Sequence, residues 1–198
     1  MPKIVDHDSQ KEKIAEAAWR VIQNDGMEHA TVRKIAQESG LPSSSLRHYF
    51  NSQAQLLEFA LKMVLDRVEK RFLNIDVAVD SLSLEEAKNI LLNLLPFDYD
   101  RELEMEVWLS FSVKSLSEPS LKKLSHDIYG LMYQAVLTIL EYLNAAHRLK
   151  ANLNVEFEAQ RLHSLIDGLS IHRLIYPDKI SPEQIDYILA KHLKELAE

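Results

Sequence analysis

The chain has 198 residues and no cysteine, which excludes disulfide scaffolds, thiolate zinc sites and cysteine nucleophiles. Glycine and proline are scarce, at four and six residues, and β-sandwiches or barrels need more of both for their turns. No apolar run approaches the roughly 20 residues of a membrane span, and the polar start of the chain lacks the apolar segment of a signal peptide. These absences predict a soluble, intracellular protein, expected in the cytoplasm, with no membrane partner.

Apolar residues recur with helical spacing throughout, which predicts an all-α fold of about nine helices. In the first helix, residues 9–24, they fall on one face: Ile14, Ala17, Ala18, Val21 and Ile22. Gly26 would end that helix. Two short helices follow, one capped by Thr31 and ending at Gly40, the other running from Pro42 to about residue 50. Longer helices are predicted at 52–74, 84–95, 98–116, 119–148, 155–175 and 181–197.

The two short helices and their glycine-containing turn have the outline of a helix-turn-helix, in which the second helix enters the DNA major groove. The first supplies a cap and cations, Thr31, Arg33 and Lys34. The second places small hydroxyls beside Arg, His and Tyr, in residues 43–49. Small side chains permit a close approach to the groove, hydroxyls and cations can donate to phosphates, and Arg can bond guanine bidentately.

Residues 11–57 resemble the DNA-binding domain of the TetR family of bacterial repressors, through Ala17-Ala18, Gly26, Thr31-Val32-Arg33, Ile35-Ala36, Gly40, Leu46, His48-Tyr49-Phe50 and Leu56-Leu57. The resemblance implies a DNA-binding domain of three helices at 1–51 and a ligand-binding and dimerisation bundle at 52–198, with a fourth helix connecting the two. It implies DNA contacts from Thr31, Arg33, Ser44, Arg47, His48 and Tyr49. We add Ser43 and Ser45, which lie on the second short helix with Ser44. Two positions depart from the family pattern, since many members have an aromatic residue in place of Arg47 and a lysine in place of Gln53.

The C-terminal half is similar to the subgroup named for the betaine-pathway repressor BetI, through Leu165-Ile166-Asp167-Gly168-Leu169, Tyr176-Pro177 and Ser181-Pro182-Glu183-Gln184. The helix at 155–175 is too apolar to have a solvated face, and its Gly168, costly by about 1 kcal/mol within a helix, suits a close helix crossing. Two helices per subunit predict a four-helix homodimer interface with two-fold symmetry. Its candidate residues are Leu162, Leu165, Ile166, Gly168, Leu169, Ile185, Ile188, Leu189 and His192.

Aromatic side chains with polar tips and adaptable methionines are concentrated in the middle helices, and they suit an apolar pocket with a few orienting hydrogen bonds. The candidate ligand-binding residues are Met63, Met105, Trp108, Phe111, Ser112, Tyr129, Met132 and Tyr133. Ordinary core packing remains the alternative for each of them. The predicted ligand is an apolar or amphipathic small-molecule inducer, and no cofactor is expected.

Two other functional classes remain open at this point. An enzyme or metal protein could use His163 and Asp167, which share a helix face, but His172 lies on the opposite side. The chain has no HExxH, GxSxG, P-loop or GxGxxG motif, so neither catalytic residues nor a metal are expected. A helical interaction module without a DNA role would tolerate Tyr49→Phe and Arg47→Ala.

The net charge of −7 is unevenly distributed. Residues 1–50 hold seven Lys and Arg against seven Asp and Glu, whereas residues 51–198 hold 16 against 23. Local charge governs DNA binding because charges beyond a Debye length of about 8 Å are largely screened. The sequence therefore predicts a ligand-responsive regulator that binds a palindromic DNA operator as a homodimer, and the family resemblance alone favours repression over activation.

Overall fold

The computed structural model describes residues 7–73 and 81–197, and within these ranges the chain forms nine α-helices. They are α1 (His7–Asp25), α2 (Val32–Ser39), α3 (Ser43–Tyr49), α4 (Gln53–Leu73), α5 (Leu84–Leu92), α6 (Tyr99–Ser115), α7 (Pro119–Ala145), α8 (Val155–Ile175) and α9 (Pro182–Leu196). A 3₁₀ turn at Met27–His29 separates α1 from α2, and Leu149 forms an isolated antiparallel bridge with Ala197. The predicted all-α fold is confirmed. None of the described helices is long and apolar enough to cross a bilayer.

Local chemistry accounts for most helix starts. Ser83 and Glu86 form a capping box at the start of α5, and Ser181 and Gln184 form another at α9, with Pro182 in its first turn. Ser52 caps α4 by accepting from the backbone N–H of Gln55 at 3.1 Å. These side chains satisfy backbone donors that a helix leaves unpaired, so the observed starts agree closely with the predicted ones.

Two helices end three residues earlier than predicted. After α5, Asn93, Leu94 and Leu95 bond carbonyls three residues back at 3.0–3.2 Å, a tighter winding that precedes Pro96. α7 ends because His147 adopts a left-handed conformation, with φ 54°, although it is not glycine. The predicted last residue of the fourth helix, Asn74, lies outside the described residues.

The chain divides into two compact units. Unit 1 comprises the residues up to Arg67 together with Leu103–Ser125, and unit 2 comprises Val68–Glu102 and the chain from His126 onward. The predicted domain boundary after residue 51 therefore falls inside unit 1, so α1 to α3 and the first part of α4 pack as one body. We call α1 to α3 the head.

The head packs against α4 through Trp19, which is almost fully buried. Its Nε1 donates to the carbonyl oxygen of Ala60 at 2.9 Å. The guanidinium of Arg67 lies 4.4 Å from the centroid of the Trp19 ring and pairs with Glu16 of α1 at 2.8 Å. Burial of a large aromatic ring, with its N–H satisfied, fixes α1 against α4.

Unit 2 has one hydrophobic core, formed by α5, α7, α8 and α9. A buried lysine, Lys88, ties α5 to α9 because its Nζ lies 2.9 Å from Asp186 as well as 2.9 Å from Glu85. The carboxylates of Glu85 and Asp186 raise the pKa of Lys88, in spite of its burial. The ammonium group is thus held charged between its two partners.

Candidate nucleic-acid interface

The turn between α2 and α3 is set by Gly40, which has φ 69° and ψ 18°. This left-handed conformation is strained for other residues, and it lets the N–H of Leu41 reach the carbonyl of Ala36 at 3.0 Å. Only three residues, 40–42, separate the two helices. Ile35 of α2 and Leu46 of α3 are both buried, so the two short helices dock on a common core.

α3 presents four of the predicted DNA-binding side chains on one exposed face. Ser43, Ser44, Arg47 and His48 follow an i, i+1, i+4, i+5 pattern and are all exposed, on the side opposite Leu46. Ser45 and Tyr49, which are also in the predicted set, are half-buried. The helix therefore offers two hydroxyls, a guanidinium and an imidazole without disturbing its core.

The other two predicted contacts lie at the start of α2. Thr31 is exposed, and its Oγ1 accepts from the backbone N–H of Lys34 at 3.3 Å as the helix cap. Because the cap uses a lone pair, the hydroxyl proton remains available to a phosphate. Arg33 is exposed beside it. The helix N-terminus adds a partial positive charge at the same place.

Ion pairs distinguish the cations of the head. Lys34 pairs with Asp25 at 2.8 Å, and Arg20 pairs with Glu38 at 2.7 Å. Neither Arg33 nor Arg47 has a carboxylate partner within residues 7–73 and 81–197. The local positive charge that the sequence suggested is therefore carried by these two arginines, whereas the charge of Lys34 is largely compensated.

The predicted dimer residues divide into two groups. Leu162, Ile166, Leu169, Ile185 and Leu189 belong to the core of unit 2 and are at most 5% exposed within a single chain. Leu165, Gly168, Ile188 and His192 are half-buried. Periodicity alone could not separate the groups because α8 is apolar on more than one side.

A different face of α8 is open in the single chain. It has Phe157, 56% exposed, at one end and Ile175, 49% exposed, at the other, with Ser164 and Gly168 between them. A Cβ placed on Gly168 would meet no atom from outside the backbone of its own helix within 4 Å. No helix among the described residues therefore crosses closely at this glycine. Phe157, Ser164 and Ile175 are not in the predicted dimer set.

The predicted ligand residues belong to both units, and each unit is considered separately. In unit 1, Met63, Met105, Trp108 and Ser112 are half-buried, and Phe111 is fully buried. In unit 2, Met132 and Tyr133 are half-buried, and Tyr129 is 52% exposed. Phe111 therefore has the burial of an ordinary core residue, whereas the other side chains keep some accessible surface.

An aromatic cluster in unit 2 includes residues that sequence reasoning did not assign to a ligand. The rings of Tyr129 and Tyr133 are parallel, with centroids 6.4 Å apart, and His163 lies 5.0 Å from Tyr129. His163 is only 3% exposed, and its Nε2 is 3.7 Å from Asp167. Burial raises the pKa of Asp167, and a positive charge on His163 would oppose that shift. No group of three or more potential metal ligands is found among the described residues.

A cleft of about 360 Å³ lies elsewhere, in unit 1, between the 3₁₀ turn and the second half of α6. Lys114 crosses it and binds both carboxylate oxygens of Glu28, at 2.9 and 3.3 Å. The remaining lining residues are Met27, Leu109, Ser110, Val113 and Ser117. None of the eight predicted ligand residues lines this cleft.

Comparison with known proteins decides the family. The sequence model of the tetR family of bacterial regulatory proteins matches residues 14–60, and that of the BetI-type transcriptional repressor C-terminal domain matches residues 84–198. The chain belongs to the TetR family. Members of this family are transcriptional regulators with a DNA-binding helix-turn-helix, so the chain is a regulator and not an enzyme.

Individual relatives are similar to this TetR-family chain over almost its whole length. The HTH-type transcriptional regulator PksA of Bacillus subtilis is 37% identical over 196 residues, which are 99% of this chain and 94% of PksA. BetI of Proteus mirabilis is 27% identical, with 94% of each chain covered. A transcriptional regulator of Saccharomonospora viridis, crystallised with choline, has a TM-score of 0.82 at 23% identity and covers 96% of this chain and 99% of its own. A TetR regulator of Haloarcula marismortui also has a TM-score of 0.82, at 16% identity, with 96% and 100% covered.

Proposed function

We propose that this TetR-family regulator is a ligand-responsive repressor that binds a palindromic operator as a homodimer. The observation that carries the DNA-binding part is the exposed face of α3, where Ser43, Ser44, Arg47 and His48 lie together. Arg47 has no carboxylate partner in the described residues, so it is free to reach a base edge or a phosphate. Such a regulator would work in the cytoplasm, where bacterial DNA lies.

The residues of the head have different roles in this proposal. Arg47 and His48 on α3 read base edges in the major groove, with Ser43 and Ser44 close to the groove wall. Thr31 and Arg33 hold the phosphate backbone beside it, helped by the positive end of α2. The half-buried Ser45 and Tyr49 contribute phosphate contacts from their hydroxyls.

Selection of bound duplexes from a random DNA pool tests this assignment. We expect a palindrome whose half-site centres are about 34–36 Å apart, or a multiple of that distance, because a two-fold dimer presents two copies of α3. The palindrome should also occur upstream of the regulated gene, and the gene of a self-regulating repressor is the first place to look. Recovery of sequences without a shared motif would contradict the proposal.

The dimer is proposed to form through the open face of α8, supported by Leu165 and by Ile188 and His192 of α9. Ser164 and Gly168 are small enough for the α8 helix of a second copy to cross closely, and Phe157 and Ile175 supply apolar surface at the two ends. Sedimentation equilibrium at micromolar concentration should show a dimer. Phe157→Asp should shift it toward monomer, and a wild-type protein that is monomeric at that concentration would refute the dimer.

The ligand is proposed to be an apolar or amphipathic small molecule held by the half-buried aromatic and methionine side chains. Ligand binding can release DNA only if the ligand has unequal affinity for the DNA-bound and free arrangements of the protein. A cationic head group is a second candidate, favoured by the cluster of Tyr129, Tyr133 and Asp167, since aromatic faces and a carboxylate attract a quaternary ammonium. The choline found in the Saccharomonospora viridis regulator supports it.

Thermal unfolding with a panel of lipids, aromatics, hydrophobic amines and choline separates these ligand classes. A ligand that binds only the folded protein raises the unfolding temperature in a concentration-dependent manner. Choline should act, and its neutral analogue 3,3-dimethylbutanol should not, if the cationic class is correct. The apolar class predicts the reverse preference, and a panel with no active compound would count against both.

A further inference from the structure

A buried carbonyl lies where the chain enters α2. Ala30, with φ −72° and ψ 57°, forms a tight turn in which the N–H of Thr31 bonds the carbonyl of His29 at 2.7 Å. Ala30 is 0% exposed, so its own carbonyl oxygen has no access to water. Within residues 7–73 and 81–197, no backbone N–H is bonded to that oxygen.

The missing donor comes from another helix. The side-chain Nε2 of Gln53, the first residue of α4, donates to the carbonyl oxygen of Ala30 at 2.8 Å. A buried acceptor without a partner is costly, so this single bond stabilises the turn in the conformation observed. Because Thr31 is the next residue, the same bond fixes the position at which α2 begins.

We infer that Gln53 is a positioning residue for DNA binding, which holds the α2 N-terminus so that Thr31 and Arg33 face the phosphate backbone. This chain has a neutral amide whose donor is turned toward the protein. The inference rests on the proposed function of Thr31 and Arg33, although the hydrogen bond does not.

Operator affinity in a double-mutant cycle tests the inference. Gln53→Ala in the full chain should weaken binding of the selected operator roughly tenfold, because the first turn of α2 is no longer held in position. In an Arg33→Ala background the same change should cost less, since one of the two contacts that Gln53 positions is already absent. Equal losses in both backgrounds would show that Gln53 acts on DNA by itself, which would overturn the inference.

Gln55→Ala is the matched control. Gln55 lies on the same end of α4, and its Oε1 accepts from the N–H of Asn51 at 2.8 Å, so this bond does not reach α2. Its effect on operator affinity should be the same with and without Arg33. A coupling with Arg33 as large as that of Gln53 would mean that the whole start of α4, and not the bond to Ala30, is responsible.

Amide hydrogen exchange in the free protein provides a readout that does not depend on DNA. The N–H groups of Lys34 and Ile35 bond Oγ1 and the carbonyl of Thr31, so they report on the first turn of α2. Gln53→Ala should accelerate their exchange, whereas exchange in α8 should stay unchanged. Unchanged exchange at Lys34 and Ile35 would overturn the inference even if DNA binding fell. A wild-type protein that selects no DNA would instead refute the proposed function and leave the exchange result interpretable.

Discussion

The head and the C-terminal bundle present their candidate functional surfaces in opposite ways. In the head, the core takes one side of α3 through Leu46, and the polar residues left on the other side are the candidate DNA contacts. In the bundle, α8 has apolar residues where it joins the core and, at Phe157 and Ile175, also where it is open. A polar functional face can therefore be found from sequence periodicity, whereas an apolar one is hidden among core residues until the packing is known.

The largest expected effect distinguishes the two apolar faces of α8. Leu162 is fully buried, so Leu162→Ala should lower the free energy of unfolding by about 2–5 kcal/mol. Leu165 is only half-buried, and Leu165→Ala should cost less than half as much. Urea unfolding at one fixed protein concentration measures both. Equal losses would contradict the distinction between core and open residues.

Within the head, the features that build the helix-turn-helix could mostly be predicted from the sequence. The cap at Thr31, the glycine at the turn and the apolar residue inside α3 are local signals, and each acts over one helical turn. Ion pairs with partners elsewhere in the head, such as Lys34 with Asp25, have no local signal, so Lys34 could not be distinguished from Arg33 by sequence. The bond from Gln53 to Ala30 was missed because it joins residues 23 positions apart.

Within the bundle, the helices could be predicted and their faces could not. Five of the nine predicted dimer residues lie in the core of a single chain, since their positions depend on where α5, α7 and α9 pack against α8. His163 and Asp167 were considered only as metal ligands, because the tyrosines beside His163 lie on another helix. The early end of α7 at His147 also lacked a signal, since glycine usually takes that conformation.

The next largest effect concerns the unpaired arginine of α3. Arg47→Ala should weaken binding to the selected operator by about 1–3 kcal/mol per half-site, the usual cost of a specific base contact. Arg20→Ala is the matched control, because Arg20 is in the head but pairs with Glu38 and lies on α1. Fluorescence anisotropy at constant salt gives both values. An Arg20 variant as weak as the Arg47 variant would show a general charge effect instead of readout by α3.

A smaller effect is expected in the salt dependence of binding. Arg33→Ala should reduce the slope of log K against log salt by about 0.9 per half-site, because each subunit of the dimer loses one phosphate contact on duplex DNA. Lys34→Ala should change the slope less, because Asp25 already compensates its charge. Titrations at several salt concentrations decide this point. Equal changes in slope would mean that the Lys34–Asp25 pair opens on DNA.

The smallest predicted effect is a pH dependence in the bundle. Burial lowers the pKa of His192, as does the nearby charge of Arg161, while Glu158 and Glu195 oppose the shift. The unfolded chain then binds more protons than the folded one just below the ordinary value of about 6.5, so stability should decrease as the pH falls through that range. His192→Gln should flatten this decrease in urea unfolding. His172 is exposed, so His172→Gln is the control. A decrease in stability that His192→Gln leaves unchanged would refute the assignment to His192.

The most direct test of the central claim, that a pair of α3 helices reads the operator, compares the DNA sequences selected by wild-type protein and by Arg47→Gln. We expect the preference to change at the same position in both half-sites, from guanine toward adenine, because glutamine pairs with adenine as arginine pairs with guanine. The rest of the palindrome should be retained. An unchanged palindrome, or a change in only one half-site, would contradict symmetric readout by α3.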